Sequence, residues 1–182
     1  MVARLPLHTI GHSTLSVDEL AERLQAAQVT RLIDVRAIPR SRTNPQFNQD
    51  TLPAALAPHG IAYQHLASLG GRRSLQRHVP PEVNGFWDNR SFHNYADYAL
   101  QPAFRAGLAE LREAGQHERC AVMCSEAVWW RCHRRIIADH LLAAGESVRH
   151  ILGDHIEDAH LTPGAQLGPD GTVTYPTPPG AT

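Results

Sequence analysis

Short apolar segments alternate along this chain with longer segments of helical periodicity, and no other sequence feature constrains the fold as strongly. Apolar segments typical of buried strands occur at residues 5–10, 31–35, 61–65, 119–124 and 147–152. Helices are predicted between them, at residues 16–28, 49–58, 92–114 and 131–144, with a potential break at Pro102. Because such alternation builds parallel sheets through right-handed crossovers, we predict an α/β fold. The expected architecture is a mostly parallel five-stranded sheet with helices on both faces, in a Rossmann-like three-layer arrangement.

The length of the chain fits one domain with a sizeable core, since it has 182 residues. We place a single α/β domain at residues 1–152. Residues 153–182 are predicted to form a loop-rich extension with room for one short strand near residues 172–175. No apolar run is long enough to cross a membrane, and residues 1–9 lack the apolar core of a signal peptide. We therefore expect a cytoplasmic protein with no membrane partner.

The charge of the chain is small but unevenly distributed. A formal net charge of -1 argues against a general polyanion-binding protein. All 17 basic residues are arginine, which the base composition of the source genome would also explain. Seven arginines nevertheless lie between residues 36 and 90, against three acids. The loops of this segment are therefore predicted to form a basic face.

Chemically capable residues follow three of the predicted strands. Gly11-His12-Ser13 follows the first strand, Arg36 follows the second, and Cys124 ends the fourth. Ligands of open α/β sheets bind outside the carboxyl ends of the strands, so we expect one shared crevice there. In this interpretation Arg134 and Cys124 lie nearest to the cavity, and Trp129-Trp130 forms part of its wall. The alternative is that His12 and Arg36 are separate structural caps.

Cys132 is the first candidate for a catalytic nucleophile. The sequence predicts it in the first turn of a helix, beside Arg131, His133 and Arg134. A helix N-terminus and neighbouring cations both stabilise a thiolate. The further catalytic candidates are Cys124, Glu126 and His12. Each has a structural alternative: a core cysteine, a carboxylate neutralised by arginine, and a histidine bonded to the backbone.

Anion binding is assigned to Arg36, Arg134, Arg131 and Ser13, because guanidinium groups hold carboxylates and phosphates with paired hydrogen bonds. The spacing from Cys124 to Arg131 is Cys-x6-Arg, one residue longer than the Cys-x5-Arg of cysteine phosphatases. The residues between them include two tryptophans and no glycine. A phosphate cradle of close backbone amides is therefore not predicted.

The motifs of the chain, in their order, resemble the family catalogued as domain of unknown function 488. Its first half is matched by Ile10-Gly11-His12-Ser13, Asp34-Val35-Arg36 with Pro39 and Ser41, Phe47-Asn48, Tyr63 and Leu69-Gly70-Gly71. Its second half is matched by Cys124-Ser125-Glu126, Cys132-His133-Arg134 and His150-Ile151. The resemblance covers about residues 8 to 152, and its most specific element is Cys-x-Glu followed by Cys-His-Arg. It implies no particular reaction, so the function has to be inferred from the residues.

Three functions remain open at this point, and the cofactor is unknown in each. The first is an enzyme that uses a reactive cysteine on an anionic small molecule. The second is a nucleic-acid-binding or nucleic-acid-processing domain whose basic loops supply Arg40, Arg42, Arg72 and Arg73. The third is a transition-metal site built from Cys124, Cys132, Glu126 and a histidine. No short metal-binding motif such as HExxH is present, so no metal ligands are assigned.

Overall fold

The computed structural model describes residues 4–180, and a six-stranded sheet lies at its centre. The strands are β1 (Leu7–Gly11), β2 (Arg31–Asp34), β3 (Ala62–His65), β4 (Cys120–Cys124), β5 (Val148–Leu152) and β6 (His155–Asp158). Their order across the sheet is β3-β2-β4-β1-β5-β6. The first five are parallel, and β6 pairs antiparallel with β5. The predicted α/β class and the mostly parallel sheet are confirmed, with a sixth strand contributed by the extension.

Five α-helices connect or follow these strands: α1 (Val17–Ala26), α2 (Leu52–Leu56), α3 (Arg90–Tyr98), α4 (Pro102–His117) and α5 (Arg134–Ala143). The sequence locates the start of α1 well, because Ser16 and Glu19 form a reciprocal capping box there. The long helix predicted at residues 92–114 is two helices. Pro102 starts the second of them, since proline cannot donate a backbone hydrogen bond to a preceding turn but suits the first turn of a helix.

The helices cover both faces of the sheet and bury one apolar cluster on each. On one face α1 and α2 contribute Leu20, Leu24, Leu52 and Leu56, which pack with Leu32 and Met123 of the strands. On the other face α3, α4 and α5 contribute Tyr95, Phe104, Leu108, Ile136 and Ile137, which pack with Ile33 and Val122. Successive strand residues point to opposite faces, so adjacent positions such as Leu32 and Ile33 serve different clusters. The result is the three-layer arrangement that the alternation predicts.

The strand register sets three strand ends side by side. Gly11 of β1 is level with Cys124 of β4, and Asp34 of β2 is level with Met123 of the same strand. The loops that follow β1, β2 and β4 therefore begin within a few ångströms of one another, because neighbouring strands are roughly 4.8 Å apart. This edge of the sheet is where the candidate site lies.

The C-terminal extension packs onto the α/β core. It contains a two-stranded antiparallel pair, β7 (Gln166–Leu167) and β8 (Val173–Thr174), and β8 is the short strand foreseen near residues 172–175. Tyr175 is fully buried, and its hydroxyl donates a 2.6 Å hydrogen bond to the Asp139 carboxylate on α5. No helix within residues 4–180 has the length and apolar character needed to span a membrane.

Candidate functional site

A cavity of about 810 Å³ opens at the carboxyl edge of the sheet. His12 and Ser13 line it from the end of β1, Arg36 from the end of β2, and Cys124 from the end of β4. The loop between β4 and α5 adds Glu126, Arg131, Cys132 and His133. The structure thus brings together the strand-end residues that were expected to share one crevice.

Gly11 allows the loop after β4 to pass directly over the end of β1. A Cβ atom on Gly11 would lie 1.7 Å from the carbonyl oxygen of Glu126, far inside any permitted contact. Two backbone hydrogen bonds hold the loop in this position, from His12 N to Cys124 O (2.9 Å) and from Ser13 N to Ser125 O (3.0 Å). Ser13 accommodates the turn with a positive φ of 45°. Glycine at position 11 is therefore a geometric requirement of the site.

Arg134 braces the same loop from the inside. Its side chain is fully buried, and Nη2 donates to the carbonyl oxygens of Glu126 (2.7 Å) and Ala127 (3.5 Å). Its Nε is buried without a partner. Arg134 does not line the cavity, so its prediction as an anion-binding group nearest to the cavity is wrong. The guanidinium acts on the site by its position and its charge.

Cys132 lies just before α5 rather than in its first turn. Its backbone is extended (φ -132°, ψ 151°), and α5 begins two residues later, because Trp129–Arg131 forms a separate 3-10 turn. The helix start nevertheless contacts the sulfur: the backbone N–H of Arg134 donates to Cys132 Sγ at 3.4 Å. Cys132 thus has the predicted contact with a helix N-terminus, but it precedes the helix instead of lying in its first turn.

His133 makes the second contact to the Cys132 sulfur, with Nδ1 at 3.5 Å from Sγ. The other ring nitrogen, Nε2, lies 2.8 Å from the carbonyl oxygen of Val35 and must carry a proton to donate to it. Nδ1 is therefore the nitrogen that faces the thiol. Gly71 packs against this ring, because a Cβ there would be 3.0 Å from Nδ1.

Cys132 and Cys124 line the same cavity, and their pKa values shift in opposite directions. Burial alone would raise the pKa of the Cys132 thiol, but the hydrogen bond from Cys124, the charge and hydrogen bond of His133, and the charge of Arg134 outweigh it. The pKa of Cys132 is consequently well below its usual value. Burial raises the pKa of Cys124 well above its usual value, and its hydrogen bond to Cys132 raises it further. These surroundings therefore favour the thiolate form at Cys132 and the protonated thiol at Cys124.

Cys120 has none of these features. It is buried at the opposite end of β4 from Cys124 and does not line the cavity. Burial raises its pKa to about 11. Cys120 is therefore a core residue.

His12 and Arg36 belong to one buried network at the end of β1 and β2. Arg36 Nη2 donates to Asp34 Oδ2 (2.7 Å) and to the carbonyl oxygen of Phe47 (2.6 Å), while Tyr63 donates its hydroxyl to the same carboxylate oxygen at 2.5 Å. His12 Nδ1 lies 2.9 Å from Ser13 O, and its Nε2 lies 3.4 Å from Arg36 Nη1. Burial lowers the pKa of His12, so the ring is neutral. Both nitrogens are thus occupied, which favours a structural role over acid–base catalysis.

The outer part of the cavity is lined by exposed arginine side chains that can contact a ligand. Arg40, Arg72 and Arg131 are exposed and line the cavity. Arg42 is exposed but does not line it, and Arg73 is committed elsewhere: it donates to the carbonyl oxygens of Gly70 and Ala67 and stacks on Tyr98. Glu126 also lines the cavity with an exposed side chain.

Neither tryptophan of the Trp129-Trp130 pair lines the cavity, so their predicted place in its wall is wrong. Trp129 instead stacks on His150 with ring centroids 4.5 Å apart, and its Nε1 donates to the Glu157 carboxylate at 2.8 Å. That carboxylate belongs to β6, the strand that sequence reasoning did not include in the sheet. The missing strand explains why the direction of this side chain was not foreseen.

His133 is the site residue that sequence reasoning passed over. It is assigned no catalytic role from the sequence, although the Cys-His-Arg motif places an imidazole beside the nucleophile. Adjacent residues rarely face each other in a helix, and the predicted helix start at residue 131 concealed the contact. Because residues 129–133 are not α-helical, Cys132 and His133 can face each other.

The metal-site hypothesis finds no support within residues 4–180. No group of three or more His, Cys, Asp or Glu side chains in this part of the chain is placed to hold a metal ion. Glu126 contributes its backbone carbonyl, rather than its carboxylate, to the interior of the cysteine loop.

Comparison with known proteins gives one match. The protein-family model described as "Domain of unknown function DUF488" matches residues 16–141, more than two thirds of the chain. No curated protein and no solved structure matches this chain. The matched segment includes Arg36, Cys124, Cys132 and His133, whereas His12 and His150 lie outside it. With the fold and the motifs in agreement, the chain belongs to the family described as domain of unknown function DUF488.

Proposed function

We propose that this protein is an enzyme that uses the Cys132 thiolate as a nucleophile on an anionic small molecule. The observation that carries the proposal is the position of Cys132 Sγ in the wall of a cavity, between His133 Nδ1 and the backbone N–H of Arg134. Thiolates rather than thiols are nucleophilic, and such surroundings are where reactive cysteines occur.

His133 supplies the acid–base function in this proposal. The proton lost by Cys132 resides on Nδ1, and the bond from Nε2 to Val35 O keeps the ring oriented. The resulting imidazolium stabilises the thiolate and can return the proton to a leaving group, which is the usual division of labour in a cysteine–histidine pair. Glu126 remains a second acid–base candidate because its exposed carboxyl group lines the same cavity.

The charge of the substrate follows from the arginines of the cavity. Arg40, Arg72 and Arg131 are exposed along its lining. Arg36 has only one N–H of Nη1 left to offer a ligand, since the other N–H of Nη1 faces His12 Nε2. Guanidinium groups bind carboxylates and phosphates with paired hydrogen bonds. Ser13 adds a hydroxyl group to the same lining.

Site-resolved alkylation tests the proposal. At neutral pH we expect iodoacetamide to modify Cys132 much faster than Cys120, whose pKa is raised to about 11. Cys120→Ser should leave the rate at Cys132 unchanged, and it serves as the control for handling and folding. Modification of Cys132 and Cys120 at equal rates would remove the basis of the proposal.

A nucleic-acid function is the second candidate. The observation that favours it is that Arg40 and Arg72 are exposed in the lining of one cavity, with Arg42 exposed two residues after Arg40. Binding of single-stranded RNA should then weaken steeply with salt through counterion release. The triple variant Arg40→Ala, Arg42→Ala, Arg72→Ala should flatten that dependence. No binding at low ionic strength would eliminate this candidate, since low salt is the condition that favours it most.

A further inference from the structure

We propose that Cys124 and Cys132 form a reversible disulfide when this protein reacts with a low-molecular-weight disulfide that carries carboxylate groups. Cys132 would attack the substrate and Cys124 would resolve the product. This inference rests on the proposed function, because it uses the same nucleophile in the same cavity. It adds a second reactive residue and a substrate class.

The first support is the fixed placement of the two sulfur atoms. Cys124 is the last residue of β4 and is held level with Gly11 by the parallel pairing of β1 and β4. Cys132 returns to it after a loop of seven residues, which Arg134 fastens through the carbonyl oxygen of Glu126. Both cysteines line the cavity. A disulfide requires the two sulfur atoms to come close together. Arg134 links the surroundings of the two sulfurs: its backbone N–H donates to Cys132 Sγ at 3.4 Å, and its Nη2 donates to Glu126 O, which also accepts from Cys124 Sγ at 3.8 Å.

The second support is the difference in protonation between the two residues. Thiol–disulfide exchange that ends in a protein disulfide needs one thiolate that attacks the substrate. A second thiol then attacks the mixed disulfide. Burial and the charge of Cys132 keep the pKa of Cys124 high, so it stays protonated in the resting protein. That charge disappears once Cys132 is bonded to the substrate. Cys124 then becomes easier to ionise at the stage at which it has to attack.

The third support is the size and charge of the cavity. A volume of about 810 Å³ is far larger than a peroxide needs, since a water molecule occupies only about 30 Å³ in the liquid. Arg40, Arg72 and Arg131 offer three positive charges for the carboxylates of a larger substrate. A small peptide-like disulfide fits these properties better than hydrogen peroxide does.

The reaction balances in two steps. In the first, the Cys132 thiolate bonds to one sulfur of the substrate, the substrate S–S bond breaks, and the departing thiolate takes the proton from His133. In the second, the Cys124 sulfur bonds to the Cys132 sulfur, and the mixed disulfide breaks. The second departing thiolate takes the proton that Cys124 loses. The two protein thiols are oxidised to one disulfide, and the substrate disulfide is reduced to two thiols.

Oxidised glutathione is a suitable probe, with products analysed by mass spectrometry of the intact protein and of its unreduced peptides. The full-length protein should gain a Cys124–Cys132 disulfide and retain no glutathione. Cys124→Ser should retain one glutathione on Cys132, and Cys124→Ala should do the same if the serine variant fails to fold. Cys120→Ser should behave like the unaltered protein. The uncharged probe hydroxyethyl disulfide should react about tenfold more slowly at low salt, because it lacks electrostatic attraction.

Each contrary result has its own meaning. If Cys132 is alkylated rapidly but the unaltered protein stops at the glutathione adduct, the resolving role of Cys124 is wrong while the proposed function stands. If Cys132 resists alkylation at neutral pH, the proposed function itself fails. Equal rates with both disulfides, or faster oxidation by hydrogen peroxide, would overturn the assigned substrate class.

Discussion

Replacement of Gly11 by alanine should destabilise the protein strongly, although it adds only one methyl group. The new Cβ would lie 1.7 Å from the Glu126 carbonyl oxygen, 2.5 Å from its carbonyl carbon and 2.9 Å from Ala127 Cα. All three atoms belong to the backbone, so no side-chain rotation can relieve the overlap. The loop after β4 would have to move by more than about 1 Å to reach ordinary van der Waals distance.

Two contributions set the size of the effect. Inserting a methyl group into a packed region costs about 1–3 kcal/mol. Displacing the loop also breaks the hydrogen bond from buried Arg134 to Glu126 O, and a hydrogen bond to a charged group contributes about 1.5–3 kcal/mol. We therefore expect Gly11→Ala to lower the free energy of unfolding by roughly 3 to 5 kcal/mol, a large fraction of the stability of an ordinary domain.

Urea unfolding followed by circular dichroism measures this difference, and Gly60→Ala is the matched control. Gly60 has a positive φ of 74° but open space around its missing Cβ, so its substitution should cost only about 1–2 kcal/mol of backbone strain. If Gly11→Ala proves no more destabilising than Gly60→Ala, the loop does not pass over β1 as described.

Three further predictions concern other parts of the structure. His133→Asn should slow alkylation of Cys132 roughly 10- to 100-fold at neutral pH, the equivalent of losing a charge-assisted hydrogen bond of about 1.5–3 kcal/mol. His65→Asn is its control, because His65 also donates to a backbone carbonyl but does not line the cavity; equal slowing in both variants would contradict the role of His133. His140 is fully buried and its pKa is lowered to about 3, so between about pH 6.5 and 3 the unfolded chain binds a proton that the folded protein does not. The free energy of unfolding should therefore fall as the pH falls through this range, and His140→Leu should remove about 2 kcal/mol of the loss between pH 7 and 5; an unchanged slope in urea titrations would refute this. Tyr175→Phe should destabilise the protein by about 1.5–3 kcal/mol, because it breaks a hydrogen bond to the Asp139 carboxylate, and Tyr98→Phe should cost less because its acceptor is an uncharged carbonyl. The reverse ranking in urea unfolding would show that the C-terminal extension is not anchored at Tyr175.

The sequence predicts the central sheet well because periodicity reports burial. Four of the five parallel strands are largely buried, whereas β3, with the sequence Ala-Tyr-Gln-His, is partly exposed. The predicted positions of all five agree with the structure to within about two residues. β6 is mostly exposed, with the sequence His-Ile-Glu-Asp, so it has no apolar pattern to distinguish it from a loop. Its place in the sheet is decided by pairing with β5, which is a tertiary effect that propensity does not contain.

The candidate site is predictable as a location but less so as a geometry. The rule that ligands bind at the carboxyl ends of parallel strands is sufficient to bring His12, Arg36 and Cys124 together. The rule does not specify which arginine faces the cavity. Arg134 turns inward because the loop carbonyls of Glu126 and Ala127 need donors, whereas Arg131, three residues earlier, is left exposed. Such choices depend on the hydrogen-bonding needs of buried backbone groups, which only the folded structure defines.

If Cys132 is a thiolate in the resting protein, a pH titration of thiolate ultraviolet absorbance will detect it. The unaltered protein should show absorbance from one thiolate at neutral pH, lost on acidification while circular dichroism remains native. Cys132→Ser should lack this absorbance, and Cys120→Ser should retain it. A thiolate that appears only near the ordinary cysteine pKa of about 8.5, or that persists in Cys132→Ser, would show that Cys132 is not ionised in the resting protein.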